Sequence, residues 1–201
     1  MRQLANYKTG LLVLVLAALA LSGVGPHDRF TWLLEVAPVI IGVPVLLATA
    51  RRFPLTPLLY SLLALHALVL IVGGHYTYAK VPLGYWIQDW LHLDRNPYDR
   101  LGHLMQGFVP AILAREILIR HSVVIRGVWL FVIVTSICLA FRAFYELLEW
   151  WTAAATGTAA EAFLGTQGDE WDSQWDMFLA LVGCVVSQLL LSRFHDRQLR
   201  C

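Results

Sequence analysis

Charge is scarce in this chain. Asp, Glu, Lys and Arg make up 14% of its 201 residues, against about 25% in an ordinary soluble domain. With 58% hydrophobic residues and a mean hydropathy of +0.62, it falls outside both the soluble globular and the disordered classes. Cysteine is nearly absent: Cys138 and Cys184 lie inside apolar runs and Cys201 is the last residue. That leaves no disulfide framework and no zinc-ligand spacing, and it reads the two internal thiols as buried and inert. No basic stripe follows any face, which excludes nucleic acid as a partner. No Gly/Ser linker or low-complexity tract divides residues 1–201, so they are read as a single transmembrane domain. The two halves show no internal repeat.

What is present is a series of apolar runs. They cover Gly10–Val24, Thr31–Ala50, Pro54–Gly73, Gly102–Ile119, Gly127–Ala140 (continuing to Trp151) and Met177–Ser192. Most approach the roughly 20 residues that cross a bilayer core as helix. Hydrocarbon tolerates only helices or closed barrels, and the period-two alternation of barrel strands is missing. The expectation is an all-α polytopic membrane protein, a six-helix transmembrane bundle with helices near 10–25, 31–50, 54–73, 98–120, 124–151 and 172–193. Lys8, a Leu-rich run and Ala18-Leu19-Ala20 also have the form of a signal peptide and its cleavage site. Against that, Gly25-Pro26-His27-Asp28-Arg29 reads as a tight turn into a second span.

Lysine and arginine set the expected orientation. With the N-terminus inside, Arg2, Lys8, Arg51, Arg52, Arg115, Arg120, Arg126, Arg193, Arg197 and Arg200 are cytoplasmic. Only Arg29, Lys80, Arg95 and Arg100 are outside, and Arg142 lies within the fifth span. The positive-inside rule then places both termini in the cytoplasm. Apart from Glu116 and Asp196, every acidic residue maps to the outer side or to outer helix turns. So does every tryptophan but Trp129, with Tyr85–Leu91 read as a short amphipathic helix at that interface.

Half of the outer acids fall into three helical registers: Asp99/His103/Gln106, Arg142/Glu146/Glu149 and Asp169/Asp172/Asp176. Each repeats at three-, four- or seven-residue spacing and would line one helix face. Ionisable groups inside membrane helices mark functional sites by default. Asn96-Pro97-Tyr98-Asp99 is a helix start, with Asn as cap, Pro at the first helical position and an acid near the N-terminus. Acids are favoured at a helix N-terminus, which partly explains Asp172 and Asp176. Glu146 and Glu149 have no such explanation, because they stand at a C-terminal end where the macrodipole opposes them. Arg142 can offset one of them.

A cluster of this kind shares protons or binds a cation. Carboxylates with an added imidazole suit manganese, iron or zinc. The catalytic candidates are His103, Glu146, Glu149 and Asp99. Arg142, Gln106, His75 and Tyr145 are candidates for substrate contact or network support. His103, Glu149, Asp172 and Asp176 form the candidate metal set, with a divalent metal ion as the cofactor. Glu35, in outer turns of the second span, falls at the same end. His66 is read as a hydrogen-bonded packing residue, and His27, His121 and His195 as solvated boundary residues.

Several stretches resemble a known family. Gly73-Gly74-His75-Tyr76-Thr77-Tyr78, Asn96-Pro97-Tyr98-Asp99-Arg100-Leu101-Gly102-His103, Gln106-Gly107-Phe108, Phe144-Tyr145-Glu146-Leu147-Leu148-Glu149-Trp150 and Gly165-Thr166-Gln167-Gly168-Asp169-Glu170-Trp171-Asp172 look like the YjdF family of bacterial inner-membrane proteins. The resemblance spans essentially the whole chain. It implies a multi-pass protein of the bacterial inner (plasma) membrane and supplies no reaction. A weaker similarity is to VanZ-like membrane proteins, through Asp99-Arg100-Leu101-Gly102-His103 and through Asp176 with Gly183, although Ala180 stands where that pattern has asparagine.

Three functions remain open. The first is a metal-assisted intramembrane enzyme acting on a lipid or lipid-linked envelope substrate from the outer leaflet. The second is a non-catalytic envelope or drug-binding protein that uses the aromatic rim. The third is a small-solute or proton-coupled transporter, against which stand the absent repeat and the boundary position of the charges. Neither the substrate nor the oligomeric state is legible.

Overall fold

All regular structure in the computed structural model, which describes residues 2–157 and 161–200, is helical. The elements are α1 (Arg2–Ser22), α2 (Arg29–Thr49), α3 (Pro57–His75), α4 (Pro82–Leu91), α5 (Tyr98–Arg120), α6 (Val128–Thr156), α7 (Glu161–Leu164) and α8 (Asp172–Gln198). The sequence also predicts a helical turn or two over 159–164, of which residues 159 and 160 lie outside the described residues.

Caps set several of the boundaries. Asp28 accepts a hydrogen bond from the Thr31 amide at 2.7 Å and starts α2. That bond holds the Asp28 carboxyl below its ordinary pKa. Thr56 caps α3 with Pro57 at its first position. α6 stops at Gly157, whose φ of +62° suits glycine. The amphipathic helix expected near 85–91 begins earlier, at Pro82, and leaves Trp86 and Trp90 71% and 79% exposed.

α2, α3, α6 and α8 are long and apolar enough to cross a membrane. α1 carries a shorter apolar stretch over Asn6–Ser22. α5 has 23 residues but includes Asp99, Arg100, His103, Arg115, Glu116 and Arg120, which lower its hydropathy. Most of these are buried against neighbouring helices rather than facing lipid.

The helices form two groups that meet at α3 and α5. α1, α2 and α3 enclose a core that includes Val15, Val36, Val39, Leu70 and Ile71. α5, α6 and α8 enclose Ala111, Leu130, Val134, Cys138 and Cys184. Leu59 of α3 and Ile112 of α5 bridge the groups. The α5–α8 crossing is tight because it is built on glycine. A Cβ on Gly107 would strike the backbone of Ala180, and one on Gly183 the carbonyl of Leu104. Small residues that let backbones touch are the usual means of helix association in lipid.

A second glycine pair seats an aromatic ring. After α3 the chain turns through Thr77 and Tyr78, both at positive φ, and the Tyr78 ring lies over Gly73 and Gly102. Burial first, and then the nearby Glu35 carboxylate, push the Tyr78 phenol well above its ordinary pKa. It therefore stays protonated between α3 and α5.

Candidate functional site

α5, α6 and α8 bring one residue set each to the same end of the bundle. His103 on α5 places Nε2 3.0 Å from Asp99 Oδ1 on its own helix and 3.1 Å from Asp176 Oδ2 on α8. Its Nδ1 lies 3.4 Å from Gln106 Oε1. Arg142 on α6 is 3% exposed. It donates to Gln106 Oε1 at 3.0 Å, Glu149 Oε1 at 3.3 Å and Asp176 Oδ2 at 3.0 Å, and also to Glu146. The guanidinium lies 5.5 Å from the Tyr145 ring centroid, within cation–π range.

Gln106 settles an ambiguity at His103. Its Oε1 accepts from Arg142, which has no acceptor of its own, so that atom is the carbonyl oxygen. His103 Nδ1 therefore faces an acceptor and carries a proton. Nε2 also faces acceptors, two carboxylate oxygens. An imidazole with oxygen on both sides must be doubly protonated, accept at Nε2 from a protonated carboxyl, or give its Nε2 lone pair to a cation lying between it and the carboxylates.

Two groups have ligand atoms near enough to share an ion: Asp99/His103/Asp176, and Glu146/Glu149/Asp176. In the second, the Arg142 guanidinium already occupies an oxygen of each carboxylate. The first has one imidazole and two carboxylates from two helices, all buried; Arg142 reaches it only at Asp176 Oδ2, the oxygen that also faces His103. Its 3.0 and 3.1 Å separations match neighbouring ligands around an octahedral ion with bonds of about 2.1 Å, which stand about 3 Å apart.

The expected metal set of His103, Glu149, Asp172 and Asp176 does not come together as one group. Asp172 turns away to Arg95 Nη1 at 2.7 Å, and Glu149 belongs with Arg142. Asp99, expected as a catalytic carboxylate, stands in the histidine group instead. His75 lies apart, with Nδ1 2.8 Å from the Ser22 carbonyl oxygen. Glu35 is buried within electrostatic reach of Glu149, Asp99 and His103, with its Cβ against Gly74.

Arg95 is the residue that sequence reasoning missed. It had counted only as a loop charge, yet it also bonds Asp99 at 3.0 Å and the Gly165 carbonyl at 3.2 Å, with Asp169 at 3.5 Å. Next to it, the Asn96 amide donates to Gln167 Oε1 at 3.2 Å, and Gln167 Nε2 donates back to the Asn96 carbonyl at 3.3 Å. Together they fasten the 165–172 segment over the site. The four-residue spacing from Arg95 to Asp99 was the available signal, hidden because Arg95 precedes the helix.

The opposite end holds a second polar cluster. His195, expected at a solvated boundary, is fully buried, with Nε2 3.0 Å from Glu116 Oε2. Glu116 accepts from Thr56 Oγ1 at 2.8 Å and from Arg120 Nη1 at 3.0 Å. Arg115 makes a two-point contact with Asp196 at 2.8 and 3.1 Å. With every Glu116 partner supplied from within, this cluster ties α3, α5 and α8 together. His66 also departs from expectation, since its buried Nε2 has no hydrogen-bond partner.

Comparison with known proteins agrees with the membrane character. A family model described as "Predicted membrane protein (DUF2238)" matches residues 7–197. The chain is 59% identical over 179 residues to the inner membrane protein YjdF of Escherichia coli (strain K12), covering 89% of this chain and 86% of that one. No solved structure matches. With its several apolar helices, the chain is a multi-pass inner-membrane protein and belongs to the DUF2238, YjdF-like family.

Proposed function

We propose that this is a six-span inner-membrane protein with both termini in the cytoplasm. In this reading α1, α2, α3, α5, α6 and α8 are the spans, and the Asp99/His103/Asp176 group faces the outer leaflet. The group holds a divalent metal ion, and the protein is a metal-assisted enzyme acting on a lipid or lipid-linked envelope substrate. The carrying observation is His103 Nε2, set against carboxylate oxygens of two helices while Nδ1 is committed to Gln106. That Nδ1 contact is the outer-shell bond that fixes a ligand imidazole in its tautomer.

A bound ion would supply an activated water or polarise a phosphoryl or carbonyl oxygen. Arg142 would hold Glu146 and Glu149 beside it, with half-buried Glu146 as the proton acceptor nearer solvent. Trp150, Trp171 and Trp175, all exposed, offer the apolar rim along which a lipid substrate would approach.

A second reading is favoured by Arg142 itself. Its bonds to Gln106, Glu149, Asp176 and Glu146, with a doubly protonated His103, close the network without a metal. The site would then be structural, in a non-catalytic envelope protein. Metal content of the purified protein, with thermal unfolding measured with and without chelator, separates the two. Stoichiometric metal and a lowered unfolding temperature in chelator support the enzyme reading. Absence of metal from wild type, with unfolding indifferent to chelator, supports the structural one.

A further inference from the structure

A cavity that none of the site carboxylates lines lies between α1, α2 and α3, with Leu113 of α5 in its wall. It has a volume of about 450 Å³ and an almost wholly apolar wall that includes Leu12, Val39, Val43 and Ala67. That volume is in the range of ligand sites rather than packing defects. Two of its lining residues carry polar groups without a hydrogen-bond or carboxylate partner among the described residues. Lys8 stands 4.4 Å from the Tyr60 ring centroid, and its ammonium has no carboxylate partner among the described residues. His66 also lines the cavity; its Nε2 is closed off from the cavity and has no hydrogen-bond partner among the described residues. A buried imidazole nitrogen left unpaired is unfavourable, and a ligand acceptor would relieve it.

The two groups are ordered along one helix. Tyr60, under the lysine, and His66 are six residues apart on α3, about 9 Å by helix rise. Ala50, also in the wall, leads into Arg51 and Arg52, so the end of the cavity near Lys8 is basic. A basic mouth, a single polar atom deeper in and an apolar wall match an anionic glycerophospholipid: phosphate, ester carbonyl, then acyl chain.

We propose that this cavity binds one anionic phospholipid of the bilayer. The phosphate sits at Lys8, a rotation of the His66 ring toward the cavity lets Nε2–H donate to an ester carbonyl, and an acyl chain lies between α2 and α3. The proposal does not rest on the carboxylate site or on any reaction there.

Native mass spectrometry of the full chain in detergent tests it, with phosphatidylglycerol and phosphatidylcholine of identical acyl chains as probes. Wild type should hold one phosphatidylglycerol about fivefold more tightly than phosphatidylcholine, the ratio one lysine at an anionic headgroup supplies. Lys8→Gln should abolish that preference. Ala67→Phe, which fills the cavity, should lose both lipids, and His66→Phe should weaken both. Equal binding of the two lipids by wild type overturns the proposal. So does a preference that survives in Lys8→Gln, or full lipid binding by folded Ala67→Phe. If Ala67→Phe does not fold, the Lys8→Gln comparison alone decides.

Discussion

Replacing Arg142 with glutamine removes the one cation that reaches Gln106, Glu146, Glu149 and Asp176 together. Interactions between membrane helices average about 0.6 kcal/mol each and reach about 1.7, so four lost contacts alone amount to roughly 2.4 kcal/mol. The larger effect is the charge left behind. Glu149 and Asp176 are buried, and stripping a buried ion pair of one partner costs about 3–5 kcal/mol. Part of that is relieved when the carboxylates take up protons, so a loss of about 3 kcal/mol is expected. Thermal unfolding in detergent, followed by circular dichroism, reads it. At about 2–4 °C per kcal/mol for a chain of this size, the midpoint should fall by about 6–12 °C. Adding Glu149→Gln to Arg142→Gln should then restore stability, because it removes an orphaned charge. The reasoning fails if Arg142→Gln costs less than about 1 kcal/mol, or if the double variant is less stable than Arg142→Gln alone.

Gly107→Ala drives a methyl group into the Ala180 backbone at the α5–α8 crossing. A loss of at least about 2 kcal/mol is expected from overpacking against an unyielding neighbour, read by the same unfolding assay. Arg95→Ala frees Asp169, Asp172 and the Gly165 carbonyl, so limited proteolysis should cut faster within 165–170 while helix content is retained. Asp28→Ala removes the α2 cap and should cost about 1 kcal/mol at neutral pH. Because the folded pKa of Asp28 is lowered, the cap stabilises above the unfolded carboxyl pKa and fades as pH falls through the folded value. The difference between wild type and variant should therefore shrink in acid.

Much of this architecture is carried by local pattern. Apolar runs of span length mark α2, α3, α6 and α8, and the three- and four-residue spacings of Asp99/His103/Gln106 and Arg142/Glu146/Glu149 mark faces that do meet. α5 is different: its run Gly102–Ile119 reads as a span, yet that run is less apolar than the apolar stretches of α2, α3, α6 and α8, and its polar groups are satisfied by helices distant in sequence. Glu116 pairs with Thr56 and His195, 60 and 79 residues away, and no local pattern reports such partners. Arg95 was obscured because Asn96-Pro97 separates it from the helix whose residues it binds. Asp172 shares its register with Asp176 but turns to Arg95, since the 165–172 segment brings its own competing contacts. Gly73 proves to seat Tyr78, which follows five residues later, as Gly102 does from α5.

The central claim is that His103 Nε2 is a metal ligand rather than a second proton carrier. Pulsed electron paramagnetic resonance of the purified chain titrated with manganese tests it directly, because a coordinated imidazole imprints nitrogen coupling on the bound ion. The account predicts one manganese per chain with nitrogen coupling that is lost in His103→Gln, and binding that is lost in Asp176→Asn. A wild-type protein that binds no manganese, or one whose bound ion shows the same signal in His103→Gln, contradicts it.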